Sequence, residues 1–84
     1  MLQRGAVIRS LAGRDKGRLL AVMRAEGRIV TVCDGRERPL NRPKSKNIRH
    51  VEPAGVSLPE SELAADRALK RALRRIDAEL NGNT

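Results

Sequence analysis

The sequence contains no phenylalanine, tyrosine or tryptophan. Proteins that grip single-stranded nucleic acid usually stack the unpaired bases on aromatic side chains. That mode of binding is therefore excluded for this chain. If the chain has a nucleic-acid partner, we expect its contacts to reach the phosphates and riboses of a molecule that is already folded or double-helical.

Cysteine and histidine each occur once, as Cys33 and His50. A single cysteine cannot form an intramolecular disulfide, and structural zinc needs about four ligands. We therefore predict no metal site and no cofactor. Cys33 stands in a β-branched run, which favours a buried apolar role over a nucleophilic one. Because no paired nucleophile or carboxylate pair stands out in a motif, we predict that the chain is not an enzyme.

Long apolar runs are also missing. The longest purely apolar run, Leu19 to Met23, is far too short to cross a bilayer. The N-terminus lacks the apolar segment of a signal peptide. These features predict a cytoplasmic protein that does not bind membranes.

Positive charge is the abundant feature. Lysine and arginine number 18 against 10 aspartate and glutamate residues, a net charge of +8 in 84 residues. The first 56 residues hold 13 cationic and 5 acidic side chains, whereas residues 57–84 hold five of each. An excess of this density indicates a nucleic-acid partner, because neutralised phosphates release their counterions. The alternative is a basic surface that serves only solubility.

Short strand-like segments fill the first two-thirds of the chain. Alternating or β-branched runs predict strands over 5–11, 18–24 and 28–33, and a last short strand over 47–51. Pro39 and Pro43 limit the intervening segment to an edge strand or an extended arm. The pattern predicts a mainly β fold, a small, curled antiparallel barrel. The predicted core residues are Val7, Leu20, Val22, Val30, Val32 and Ile48.

The hydrophobic period changes from 2 to 3.6 after a predicted linker over 55–61, so we divide the chain into a barrel over 1–54, that linker and a helix over 62–81. Leu69, Leu73, Ile76 and Leu80 fall at i, i+4, i+7 and i+11, which predicts an amphipathic helix. Its apolar stripe could pack on the barrel, meet a neighbouring protein or mediate oligomerisation.

The first candidate binding element is Gly13-Arg14-Asp15-Lys16-Gly17, followed by Arg18. Glycines at both ends allow positive φ and a close approach of the backbone to a ligand. A Walker A loop would need Lys followed by Ser or Thr and then a helix. Here Gly17 is followed by Arg18, Leu19 and a strand pattern, so nucleotide hydrolysis is not indicated. The alternative is an ordinary tight turn with charged residues at its tip.

A second basic segment follows the predicted turn at Asp34-Gly35. Six cations within fourteen residues face only one acidic residue there, and the prolines keep part of the segment extended, so it could follow a phosphate backbone. Its alternative is a solvated loop. Asn47 could contact a base or ribose or cap a turn, and His50 could be structural or contact a phosphate. The six cations are Arg36, Arg38, Arg42, Lys44, Lys46 and Arg49.

These segments resemble a known family. Residues 5–18, with Gly-Arg-x-x-Gly-Arg at their end and Leu20-Ala21-Val22 shortly after, look like a KOW motif. Together with Asn47-Ile48-Arg49-His50-Val51-Glu52-Pro53, they resemble the KOW-type large-subunit ribosomal proteins of archaea and eukaryotes and their short bacterial relatives. The resemblance covers roughly residues 4–53. Many KOW motifs have a third glycine where this chain has Leu20, and that departure favours the ribosomal branch over the transcription-elongation branch.

The resemblance implies an SH3-like barrel that binds ribosomal RNA, and we expect the partner to be large-subunit RNA. The helix lies outside the resemblance and could contact neighbouring ribosomal proteins. The alternative is a protein-interaction module of the transcription elongation machinery. The implied contact regions are the loop over 12–18 and the basic segment over 42–50. The predicted RNA-binding residues are Arg9, Gly13, Arg14, Lys16, Gly17, Arg18, Arg42, Lys44, Lys46, Asn47, Arg49 and His50.

Overall fold

The structure, a computed structural model, describes residues 2–82. Five strands form one antiparallel sheet in the order β4-β3-β2-β1-β5. One α-helix follows the last strand, so the predicted fold class, mainly β with a C-terminal helix, is confirmed. The elements are β1 (Ala6–Ser10), β2 (Leu19–Glu26), β3 (Ile29–Cys33), β4 (Lys44–Asn47), β5 (Val51–Ser57) and α1 (Asp66–Leu80).

Strand β2 is buried on both faces over its first half, as its unbroken apolar run predicts. Leu20 and Val22 pack with Ile8 on one side of the sheet, whereas Leu19 and Ala21 face the other side. The pairing register shifts between Val22 and Arg24 against β3, and between Ala6 and Ile8 against β5. Such irregularities bend strands and increase their twist, which suits a small curled sheet.

Helix α1 folds back on the sheet. Its buried residues Leu69, Ala72, Leu73 and Ile76 belong to the same cluster as Val7 and others of the sheet. The spacing of 3.6 residues per turn places these four side chains on one face. Of the alternatives left open for the helical stripe, packing on the sheet is the one that the structure contains.

Two of the predicted apolar positions are not buried. Five of the six predicted core residues are at most 1 % exposed, but Ile48 is 39 % exposed. Ile48 begins a 3-10 helix (Ile48–His50) and does not lie in a strand, so the period-2 pattern does not apply to it. Leu80 is 44 % exposed, because the buried part of α1 ends at Ile76.

The predicted boundaries in the second half of the chain are corrected. The strand over 47–51 is wrong, since that stretch is mostly the 3-10 helix between β4 and β5. Strand β5 continues to Ser57, which pairs with Ala6, so the predicted linker over 55–61 begins inside a strand. Pro53 is tolerated because β5 is an edge strand. A short 3-10 helix (Glu60–Glu62) follows, and α1 begins at Asp66, four residues later than predicted.

Among residues 2–82, no helix has both the length and the apolar character needed to cross a membrane.

Candidate nucleic-acid interface

Residues 12–18, in the connection between β1 and β2, are called here the glycine loop. The Lys16 N–H donates to the Gly13 carbonyl at 3.2 Å, and the Arg18 N–H donates to the Asp15 carbonyl at 2.8 Å, which makes two consecutive tight turns. Gly13 and Gly17 have φ values of +79° and +87°, where residues with a Cβ are strained. A Cβ on Gly17 would meet nothing within 4 Å, so the turn, not crowding, explains this glycine.

Asp15 points inward from the glycine loop and is 1 % exposed. Its neighbours Arg14 and Lys16 are exposed. The Asp15 carboxylate pairs with Arg38 and Lys46 and not with these neighbours. Within residues 2–82, neither Arg14 nor Lys16 makes a salt bridge. The loop therefore presents two uncompensated positive charges to solvent.

The Asp15 carboxylate connects the glycine loop to the segment around β4. Its Oδ2 accepts from Arg38 Nε at 3.2 Å and lies 3.6 Å from Lys46 Nζ. Lys46 Nζ also lies 3.5 Å from the Ala12 carbonyl oxygen, to which it donates. The ion pair between Asp15 and Lys46 fixes the position of the loop relative to β4, because both side chains are largely removed from water.

Lys46 therefore contributes to the structure of the loop. Its side chain is 8 % exposed, and its ammonium is engaged by Asp15 and Ala12. Lys46 is predicted above as a phosphate contact, and in the structure its ammonium is instead held by Asp15 and Ala12 at the wall of a groove. A lysine in a basic run looks the same in sequence whether it points outward or inward, since the buried partner Asp15 lies 31 residues away along the chain.

The basic arm, residues 42–50, lies beside the glycine loop. Within residues 2–82, its side chains Arg42, Lys44 and Arg49 are exposed and make no salt bridge. A groove of about 250 Å³, the loop–arm groove, separates the two segments. The two predicted contact regions are thus adjacent in space. The groove is lined by Ala12, Gly13, Lys44, Ser45, Lys46, Asn47 and His50.

Asn47 and His50, which line this groove, both accept hydrogen bonds from backbone N–H groups. The Asn47 Oδ1 accepts from the Arg49 N–H at 2.9 Å and caps the 3-10 helix. The His50 carbonyl accepts from the Leu11 N–H at 2.8 Å, while its imidazole is exposed beside the groove. Of the roles left open for Asn47, the structure contains the cap.

Arg9 and Arg18 flank the base of the glycine loop. Arg9 Nη1 donates to the Gly17 carbonyl at 2.7 Å, and its Nη2 lies 3.6 Å from Asp77 of α1, so this guanidinium joins the loop to the helix. Arg18 pairs with Glu37 at 2.9 Å. Both partners of that pair are about half exposed. Exposed pairs contribute little free energy, so Arg18 can exchange Glu37 for a phosphate.

A second cationic cleft, which the sequence analysis missed, lies on the other side of Arg18. It has a volume of about 340 Å³ and lies between the glycine loop and α1. Arg36, Lys70 and Arg74 line it together with Arg18. The spacing of Arg67, Lys70, Arg71 and Arg74 at i, i+3, i+4 and i+7 is the signal that could have indicated a basic helix face. This basic face was missed because residues 57–84 have no net charge.

Two further sets of residues bear on chemistry. Within residues 2–82, no three His, Cys, Asp or Glu side chains are grouped as a metal site would need. Cys33 is buried, as predicted. Burial, with the nearby charges of Asp66 and Asp34 acting in the same direction, raises the pKa of its thiol to about 11. The thiol therefore stays protonated near neutral pH and is a poor nucleophile.

In comparisons with known proteins, no family model and no curated protein matches the chain.

Proposed function

We propose that the protein binds folded ribosomal RNA of the large subunit in the cytoplasm, without catalysing a reaction. One observation supports this proposal above the others. The glycine loop and the basic arm form the walls of one groove, which Lys44 lines directly. The same two segments carry four further exposed cations, Arg14, Lys16, Arg42 and Arg49. A phosphate backbone is the polyanion that such an arrangement suits.

The chemistry of the groove favours folded RNA as the occupant. Gly13 at its wall allows the backbone to come close to a ribose or phosphate. The chain has no aromatic residue on which an unpaired base could stack. The five-stranded antiparallel sheet with its two register shifts is consistent with an SH3-like barrel, the fold that the KOW resemblance implies.

The side chains of the interface then have two kinds of role. The exposed cations contact phosphates, whereas Asp15, Arg38 and Lys46 hold the glycine loop against β4. Such an interface is preorganised, because little of it has to be ordered when RNA binds.

The test is the salt dependence of binding to refolded large-subunit ribosomal RNA. Replacing Arg14 and Lys16 with Gln is expected to reduce the slope of log affinity against log salt by up to about two, because each lost phosphate contact removes nearly one unit. A matched control replaces Arg24, near the far end of β2, and Arg28, in the turn between β2 and β3, with Gln. Equal effects of both pairs, or no salt dependence in the wild type, would contradict the proposal.

The alternative, a protein-interaction module of the transcription elongation machinery, is supported by a different surface. An apolar groove of about 570 Å³ lies near the hairpin between β2 and β3 and includes Leu2, Val30 and Ile48. Ile29 and Ile48 are 43 % and 39 % exposed beside this part of the sheet. Binding to an RNA polymerase elongation complex that Ile48→Asp abolishes, and that the Arg14/Lys16 variant leaves unchanged, would favour this alternative.

A further inference from the structure

The cleft between the glycine loop and α1 is lined by more cations than carboxylates. Arg36, Lys70 and Arg74 line it, and none of them makes a salt bridge within residues 2–82. Arg36 comes from the β3–β4 connection, whereas the other two come from adjacent turns of α1. The three cations thus approach one volume from two sides.

The acidic residues of the C-terminal segment do not pair with the three cations Arg36, Lys70 and Arg74, because four of the five acidic residues have other partners. Glu60 pairs with Arg4 at 2.7 Å, and Glu62 pairs with Arg75 at 3.1 Å. Asp66 accepts from the Leu40 N–H at 2.7 Å. Asp77 lies 3.6 Å from Arg9. A segment with no net charge in its composition therefore leaves four helix cations without an acidic partner among the described residues, namely Arg67, Lys70, Arg71 and Arg74.

Two aspartates also line the cleft, and both already have partners. The Asp34 Oδ1 accepts from the backbone N–H groups of Arg36 and Arg38 at 2.8 and 2.9 Å, so its charge is held by the turn that it closes. Asp77 is the partner of Arg9. Arg18 also lines the cleft, and its partner Glu37 lies outside the lining. The lining itself thus holds four cations and two carboxylates, a balance of +2 that favours an anion.

The wall formed by α1 is held rigidly against the turn that contains Arg36. Gly35 has a φ of +81° and lies so close to α1 that an added Cβ would overlap the Asp66 carbonyl oxygen. The same Cβ would lie 3.0 Å from the Lys70 backbone nitrogen. Because Arg36 and Lys70 flank this contact, the separation of their backbones is fixed by packing before any ligand binds.

We propose that this cleft is a second phosphate-backbone site, which extends the RNA interface from the glycine loop onto α1. The inference rests on the proposed function and names further residues that bind the same RNA. Gly17 and Arg18 belong to both the glycine loop and the cleft. An RNA backbone that crosses the loop can therefore continue directly into the cleft, where Arg36, Lys70 and Arg74 contact its phosphates.

The experiment compares two charge-matched pairs on the same helix. Lys70→Gln with Arg74→Gln removes two cations from the cleft. Arg67→Gln with Arg71→Gln removes two cations from the exposed side of α1, outside the cleft. Successive residues are 100° apart around a helix, so the control pair lies opposite the buried stripe. The probe is refolded large-subunit ribosomal RNA, titrated at several salt concentrations, and thermal melts confirm that each variant is folded.

The cleft pair is expected to lower affinity at least tenfold at low salt and to reduce the salt slope by up to about two, while the control pair changes the slope by less than about half a unit. Equal reductions by both pairs would overturn the site, because they would indicate a diffuse field. No reduction by the cleft pair, alongside a clear loss for Arg14/Lys16, would overturn the cleft alone. Absence of RNA binding by the wild type would overturn the proposed function and the cleft together.

Discussion

The Asp15 carboxylate lies 3.6 Å from the Lys46 ammonium, with Asp15 1 % exposed and the Lys46 side chain 8 % exposed. This pair joins the middle of the glycine loop to β4, two segments that meet only in the folded chain. Arg38 adds a second cation to the same carboxylate at 3.2 Å. The most buried charges of the proposed interface thus position the exposed charges beside them.

Asp15→Ala is expected to destabilise the fold by about 3 kcal/mol, because it leaves Lys46 buried without its counter-ion. Lys46→Met is expected to cost less, since Asp15 keeps Arg38 and the methionine stem fills similar space. Urea unfolding of both single variants and the double variant measures the coupling between them. Additive losses in the double variant would show that the pair is not coupled.

The same Lys46→Met variant separates a structural role from a direct contact. If it folds, it should retain nearly the wild-type salt slope for RNA binding, whereas Lys44→Met should lose close to one unit. Lys44 is the matched control, because it is an exposed lysine of the same strand, two residues before Lys46. A full unit lost at Lys46 would restore that residue to the contact surface.

Gly35→Ala is expected to destabilise the protein by more than about 2 kcal/mol, because the added Cβ would overlap the Asp66 carbonyl and force α1 away from the turn. Gly55→Ala is the control, since Gly55 has a similar φ of +78° but open space around its Cβ position. It should cost about 1 kcal/mol from backbone strain alone. Equal losses in urea unfolding would mean that packing against α1 contributes nothing at Gly35.

The strands and the helix could be predicted because their apolar periods are local. The unbroken apolar run of β2 and the stripe of Leu69, Leu73 and Ile76 both identify buried faces directly. Most of strand β5 was not predicted, because a proline and a glycine interrupt its pattern. Its position at the edge of the sheet is what allows Pro53. Strand β5 pairs with β1, which is distant in sequence, and a local pattern cannot reveal such a pairing.

The candidate site was predictable only in its exposed part. The glycine loop and the basic arm stand out as dense cations, and their adjacency is present in the structure. Two other features depend on contacts between segments that are distant in sequence. Lys46 pairs with Asp15, and Glu60 pairs with Arg4, which leaves Glu60 unavailable to the cations of α1. Net charge per segment cannot represent such pairing, since it counts charges without their positions.

The buried thiol of Cys33 gives a stability dependence at alkaline pH. Its pKa is raised from 9.0 to about 11 in the folded protein, so between these values the unfolded chain binds fewer protons than the folded one. Stability should therefore fall as pH rises, by up to about 1.4 kcal/mol per pH unit from this group. Cys33→Ala lacks this contribution. The difference in unfolding free energy between wild type and variant should shrink from pH 9 to 11, and a constant difference would contradict the buried, protonated thiol.

The absence of aromatic residues gives a prediction about RNA type. Binding should favour an RNA duplex of about 20 base pairs over poly-U of equal length and salt, because no ring can hold an unstacked base. Competition titrations with the two RNAs against one labelled duplex measure the ratio. Tighter binding to poly-U would show that flexible single strands fit the loop–arm groove better than a helix does.

The cellular partner can be tested on sucrose gradients. Electrostatic docking on ribosomal RNA predicts that the protein sediments with large-subunit particles at low salt and is released, at least in part, by high monovalent salt, since counterion release drives binding.

The triple variant with Arg42, Lys44 and Arg49 changed to Ala removes three exposed cations of the basic arm and should shift to the top of the gradient. Lys46 is left unchanged, because its loss would disturb the contact with Asp15. Leu80→Ala, at an exposed apolar position on α1, should stay with the particles. Wild-type protein found only at the top of the gradient, or together with RNA polymerase, would contradict the ribosomal proposal and favour the transcription alternative.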